Sequence, residues 1–136
     1  MADPAHRRDL VDVAAELGGA SALVNNASTL GASPLPRLSE LDPATYLRIL
    51  EVNLVAPVAL TAVLLPQLRR HGGVVVNLSS DASVEAYETW GGYGSSKAAL
   101  EQLSKVLAAE HPELRVWWVD PGDMNTRMHQ EAYPGE

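Results

Sequence analysis

Three short apolar runs, none of them alternating, set what this chain can become. Ala22-Leu23-Val24, Val74-Val75-Val76-Asn77-Leu78 and the stretch from Leu114 to Val119 each run into turn-forming residues. Runs this short without a period of two read as strands covered on both faces. The segments between them have helical period. Asp3-Pro4 is an N-cap followed by proline at the first helical position, Leu10, Val13, Ala14 and Leu17 recur behind it, and Gly18-Gly19 ends the helix. Asp42-Pro43 repeats the signal and opens a helix to about Arg70, with Tyr46, Ile49, Leu50, Asn53, Leu54 and Pro57 on one face. Pro57 removes a backbone donor and is expected to kink this helix, with Pro66 a second candidate break. A loop rich in turn formers, residues 29–40, precedes it. A polar loop from Asp81 to Gly92 leads into a helix from Tyr93 to about Glu110, whose face is continued by Ala99, Leu100, Leu103 and Leu107. Asn125 to Ala132 fits a short final helix.

Alternation of this kind implies right-handed crossovers and a parallel sheet, one α/β layered unit in a single domain spanning residues 1–136. Ligands of such sheets collect at the carboxyl ends of the strands. Asn25-Asn26, Ser79-Ser80 and Pro121-Gly122 all fall there, and the Tyr93 helix begins beside the second. Composition excludes several other classes. Hydrophobic residues make up 46% of the chain, too many for a disordered protein. No unbroken apolar run reaches the roughly 18 residues of a bilayer span, so no membrane is expected as a partner. The formal charge of −7 argues against nucleic acid. There is no cysteine, and His6, His71, His111 and His129 are scattered without metal-ligand spacing, so no metal site is expected and the cytoplasm is the default location.

Tyr93 and Lys97 lie four apart at the start of a helix and so project from the same face. A phenol titrates near pH 10 when unperturbed, and a fixed ammonium nearby favours its ionised form. The pair is therefore expected to act as a general acid/base with a lowered phenol pKa. Only two of the ten basic residues, Lys97 and Lys105, are lysines, so the compact ammonium beside Tyr93 departs from the chain's habit. Gly91-Gly92-Tyr93-Gly94 does not have the spacing of a phosphate loop. Trp117-Trp118 is expected to pack on the two faces of the sheet, and Met124 and Met128 are expected to serve as lid or core packing.

Taken together these residues resemble the short-chain dehydrogenase/reductase family, over nearly the whole chain. Asn25-Asn26-Ala27-Ser28 is similar to the family's Asn-Asn-Ala-Gly turn, with serine in place of glycine. Asn53 matches the asparagine of the following helix, Ser80 the serine thirteen residues before the tyrosine, Tyr93 and Lys97 the Tyr-x-x-x-Lys pair, and Pro121-Gly122 through Thr126 the Pro-Gly-x-x-x-Thr loop. The resemblance implies hydride transfer between a nicotinamide and a ketone or secondary alcohol, on NAD or NADP. Tyr93 would exchange the proton with the carbonyl oxygen, Ser80 would hold that oxygen, Lys97 would bind the ribose hydroxyls and Asn53 would hold a relay water. Asn25, Ala27, Pro121, Gly122, Met124 and Thr126 would line the cofactor together with Tyr93 and Lys97.

Finer features lean toward one branch. Asn25 to Gly31, Thr89-Trp90-Gly91-Gly92-Tyr93 and Pro121 to Met128 look like sepiapterin and benzil reductase relatives, which favours NADP and a dicarbonyl or pterin-side-chain ketone. The family's glycine-rich strand-to-helix turn has no counterpart before Asn25, because Gly18-Gly19 lies between helix and strand. The chain is thus expected to be an N-terminally truncated member, an incomplete three-layer Rossmann-like parallel sheet lacking the first βαβαβ portion, with an exposed strand edge beside Val24 and weak nucleotide binding. Helices 43–70 and 93–110 match the family's dimer-forming pair, so a homodimer is expected. The alternative is a catalytically silent remnant that serves as a dimerisation partner.

Overall fold

In the computed structural model, which describes residues 3–132, both capping signals are met. Asp3 accepts from the Ala5 N–H at 2.8 Å and starts helix α1, Pro4–Glu16. Asp42 accepts from the Thr45 N–H at 3.0 Å and starts helix α2, Pro43–Leu50. A π-turn, Glu51–Val55, joins α2 to helix α3, Ala56–Arg70. This turn answers the problem set by Pro57, which has no N–H to continue the α-helical ladder. The widened turn lets the Ala56 N–H bond the Glu51 carbonyl five residues back, and the chain enters α3 with proline in its first turn. The disruption therefore precedes the proline. Pro66 lies inside α3 without interrupting it.

Strands β1, Ala22–Asn25, β2, Val74–Leu78, and β3, Arg115–Val119, pair in parallel in the order β1-β2-β3. Leu23, Val75 and Val116 stand in register, as do Val24, Val76 and Trp117 on the opposite face. The first set packs against Leu60, Leu64 and Leu68 of α3, with Leu10 and Ala14 of α1 closing the outside, and Leu107 comes from helix α4, Gly91–Glu110. The second set is bare: Val24 is 58% and Trp117 57% exposed. Among the described residues the helices thus cover one face of the Rossmann-like sheet. The strands read as covered on both faces because both faces are apolar, although helices reach only one. β1 is one edge of the sheet, as expected for the strand holding Val24, and β3 is the other. Trp117 and Trp118 do take opposite faces, and Lys105 of α4 sits 5.7 Å over the Trp118 ring.

Helix α4 turns Leu100 and Leu107 inward as expected, and its buried face is wider and more polar than the apolar stripe implied. Tyr93, Ser96, Lys97, Leu100 and Ser104 point inward, while Leu103 is 40% exposed. The polar members can be inside because each has partners. Ser104 donates to the Leu100 carbonyl and accepts from Asn77, both at 2.7 Å, and Ser96 donates to the Tyr93 carbonyl at 2.6 Å. At 28 residues, the helical stretch Pro43–Arg70 is long and apolar enough to cross a bilayer, which the count of unbroken apolar residues did not register. In this fold Leu60, Leu64 and Leu68 face the sheet as core, alongside buried Asn53, Thr61 and Gln67.

Candidate active site

The carboxyl ends of the strands open on a cleft of about 300 Å³. Beyond β2 the chain stays extended through Ser80, at φ −163° and ψ 154°, and then turns once over Asp81–Ser83. The hydroxyl of Ser80 accepts from the Ala82 N–H at 3.2 Å and caps that turn. Helix α4 can approach it because residue 94 is glycine: a methyl group there would collide with the Ala82 carbonyl oxygen. Tyr93 and Lys97, on the first two turns of α4, thereby line the same cleft as Ser80. Beyond β3 a turn closed by the Gly122 N–H on Asp120 (2.9 Å), with Gly122 at φ +70°, brings Pro121, Gly122, Met124 and Thr126 to the opposite wall. Thr126 caps the short helix α5, Arg127–Ala132, whose Met128 packs with Leu30, Trp90 and Tyr93.

Burial governs the electrostatics. Tyr93 is 6% exposed, and loss of water pushes its phenol pKa above the ordinary value. The hydroxyls of Ser28 and Ser80 act against that rise, and the Asp120 and Asp81 carboxylates add to it. This corrects the expectation of an acidified phenol. The Lys97 ammonium sits 5.4 Å from the centre of the Tyr93 ring, and its charge does not offset the desolvation. Lys97 is itself 2% exposed, donates to the Leu78 carbonyl at 2.7 Å and has its pKa lowered by burial to about 8. Asp81 is held in its ionised form chiefly by the Tyr87 hydroxyl, which donates to it at 2.8 Å. Ser80 adds a second donor at 3.0 Å.

Three of the residues singled out in the sequence lie outside the cleft. Asn53 is buried behind it, accepting from the Thr29 N–H at 2.8 Å and donating to the Thr29 carbonyl at 2.9 Å and to Ser96 at 3.0 Å. Its amide joins the loop after β1 to α4, and its partners are Thr29 and Ser96 rather than Lys97. Asn25 donates to Asn77 at 2.8 Å and to Thr61 at 3.4 Å, in a buried network between sheet and helices. Ala27 lines a smaller hollow beside β1 and α3. In their place Asn26 and Ser28 face the cleft, as do Asp81, Tyr87 and Trp90. The hydroxyl of Ser28 is buried near the Tyr93 phenol, with no partner at full hydrogen-bond geometry. Serine where the family has glycine was the visible signal for that position. Trp90 stood in the run 89–93 that resembles one branch of the family; Tyr87 carried no signal.

Comparison with known proteins identifies the family. The family model for short chain dehydrogenases matches residues 1–136. An uncharacterized oxidoreductase of Saccharomyces cerevisiae is 36% identical over 82% of this chain and 43% of its own length. The sepiapterin reductase of Meriones unguiculatus is 38% identical over 81% of this chain and 43% of its own. The chain thus spans less than half the length of these relatives. Among solved structures, the KRED1-Pglu enzyme superposes with a TM-score of 0.90 at 35% identity, over 95% of this chain and 53% of that one. An alcohol dehydrogenase of Thermococcus sibiricus, complexed with 5-hydroxy-NADP, gives 0.86 at 26% identity, over 99% and 56%. Relatives more than 30% identical and a family match over the full sequence lead to one conclusion: this chain belongs to the short-chain dehydrogenase family.

Proposed function

We propose that this chain carries the reacting end of an NAD(P)-dependent oxidoreductase that interconverts a ketone and a secondary alcohol. The observation behind this reading is the meeting of Ser80, Tyr93 and Lys97 in one cleft at the carboxyl ends of the parallel strands. A volume of about 300 Å³ lies at the lower end of small-molecule sites, enough for one ring system beside a small carbonyl compound. The residues present fit a nicotinamide ribose. The buried hydroxyl of Ser28 has only the Tyr93 phenol near it and can take a further polar atom, and Gly122 leaves open space where a side chain would stand. Lys97, with one proton on Leu78 and two more to offer, would hold the ribose hydroxyls. Pro121, Gly122, Met124 and Thr126 would wall the ring. Bound there, the nicotinamide would give hydride to the carbonyl carbon or take it from the alcohol carbon.

Tyr93 supplies the proton. A phenol is protonated at neutral pH, and burial holds that proton more firmly still, so Tyr93 stands ready to donate to a carbonyl oxygen. Ser80 must turn its O–H from Asp81 to the same oxygen, and two donors then fix it for attack. The sepiapterin reductases among the relatives support a small ketone beside a second polar group as substrate, and the Thermococcus structure supports NADP. We place the enzyme in the cytoplasm, where a chain without cysteine meets no redox demand. We also place a homodimer contact on helices 43–70 and 93–110, between which an apolar groove runs.

The test is Tyr93→Phe, which removes only the transferable proton. At millimolar NADPH its turnover on a small diketone should fall about 10²–10⁴-fold while nucleotide affinity holds. A parent with no turnover, or a variant as fast as the parent, overturns the reading.

A further inference from the structure

The reacting groups sit on two elements, and Glu101 joins them. It lies one turn beyond Lys97 on α4, partly buried and outside the cleft. Its Oε1 accepts from the Ser79 hydroxyl at 2.5 Å and from the Ser83 hydroxyl at 2.5 Å. Those serines bracket Ser80 on either side of the single turn Asp81–Ser83. Lys97 takes hold one residue earlier, on the Leu78 carbonyl. Gly94 admits the same turn closely against the helix. Successive turns of α4 thus grip residues 78–83 at three places.

We propose that Glu101 is a positioning residue, its carboxylate locking the Ser79–Ser83 segment to α4 so that Ser80 faces Tyr93 and Lys97 stays on Leu78. Two hydroxyl donors to one carboxylate oxygen are charge-assisted bonds, stronger than neutral ones. Ser79 is 5% exposed, so an apolar side chain at 101 would leave its hydroxyl unsatisfied. The end of β2 would then part from the helix and admit water beside Lys97. Glutamine at 101 keeps an acceptor oxygen in place and should keep the segment. The assignment rests on the reading of Ser80, Tyr93 and Lys97 as the reacting groups, but its geometric half can be tested without turnover.

Because Lys97 and Lys105 are the only lysines, carbon-13 labelling of lysine gives two ammonium titrations, with Lys105 as the internal reference. Tyr93 over the ammonium, Asp81 and Asp120 across the cleft and Glu101 behind it are the titratable groups near Lys97. In Glu101→Leu, entry of water should raise the Lys97 pKa by about one unit or more, whereas loss of a negative charge alone would lower it. Glu101→Gln, which keeps the acceptor and loses only the charge, should leave it unchanged or lower it. Should Glu101→Leu fail to fold, Ser83→Ala removes one donor and should give a smaller shift in the same direction. No rise in the apolar variant, or an equal rise in Glu101→Gln, overturns the assignment. If Lys97 shifts as expected while Ser80→Ala turns over as fast as the parent, the lock stands and the catalytic reading falls.

Discussion

Lys97 gives up its water to reach the Leu78 carbonyl, and the cost is legible in pH. Its folded pKa, near 8, lies below the ordinary lysine value of 10.5. Between those values the unfolded chain binds the proton and the folded chain does not, so stability rises with pH across that window. The penalty is complete below pH 8 and fades toward 10.5. Tyr93 acts the other way, because its folded pKa is raised and it costs stability only above its ordinary value of 10. Between pH 7 and 9.5 the parent should therefore gain about 2 kcal/mol on Lys97→Met, read from urea midpoints. Equal slopes for the two proteins would mean that Lys97 is solvated. At this scale the sequence told identity better than state. Spacing paired Tyr93 with Lys97, the strand order put Ser79-Ser80 beside them, and the family resemblance singled out Ser80. The direction of the phenol's pKa depends on burial, which no four-residue spacing contains.

Among the elements, the junction of α2 and α3 shows how a disruption becomes a fixture. Pro57 announced that the helix could not continue unchanged, and the π-turn at Glu51–Val55 is where the chain absorbs it. That turn aims Asn53 inward, where its amide satisfies both backbone groups of Thr29 and the Ser96 hydroxyl. The asparagine was visible inside an apolar stripe; its partners, 24 and 43 residues away, were not. Asn53→Ala leaves two buried backbone groups of the loop unpaired and should cost about 2–4 kcal/mol of stability. Amide exchange at Thr29 should quicken by more than the global loss explains. A cost under about 1 kcal/mol with Thr29 still protected would show that the loop is held by something else. Helix α4 taught the same lesson from the other side. Ser96, Lys97 and Ser104 displaced Leu103 from the interior because their partners lie on β2 and α2–α3, out of reach of a helical wheel.

Across the whole molecule two apolar surfaces lie back to back. One is the groove between α3 and α4, with Val58 43% and Leu103 and Val106 each 40% exposed along its rims. The other is the bare sheet face with Val24 and Trp117. The layer order was legible in the alternation of strands and helices; which face the helices leave open was not, because both sides of each strand are apolar. The groove is concave and rimmed by branched side chains at helical spacing, the form that takes ridges from a second helix pair. The sheet face ends in a strand edge that invites indefinite pairing rather than a closed dimer. In sedimentation at high concentration Val106→Glu should therefore yield monomer, since a carboxylate in the groove would be buried without a partner. Trp117→Lys should leave the dimer intact, cost no more than about 0.5 kcal/mol, and lower binding of an apolar dye. A parent that is monomeric at all concentrations, or a dimer dissolved by Trp117→Lys and spared by Val106→Glu, would move the contact off the helices.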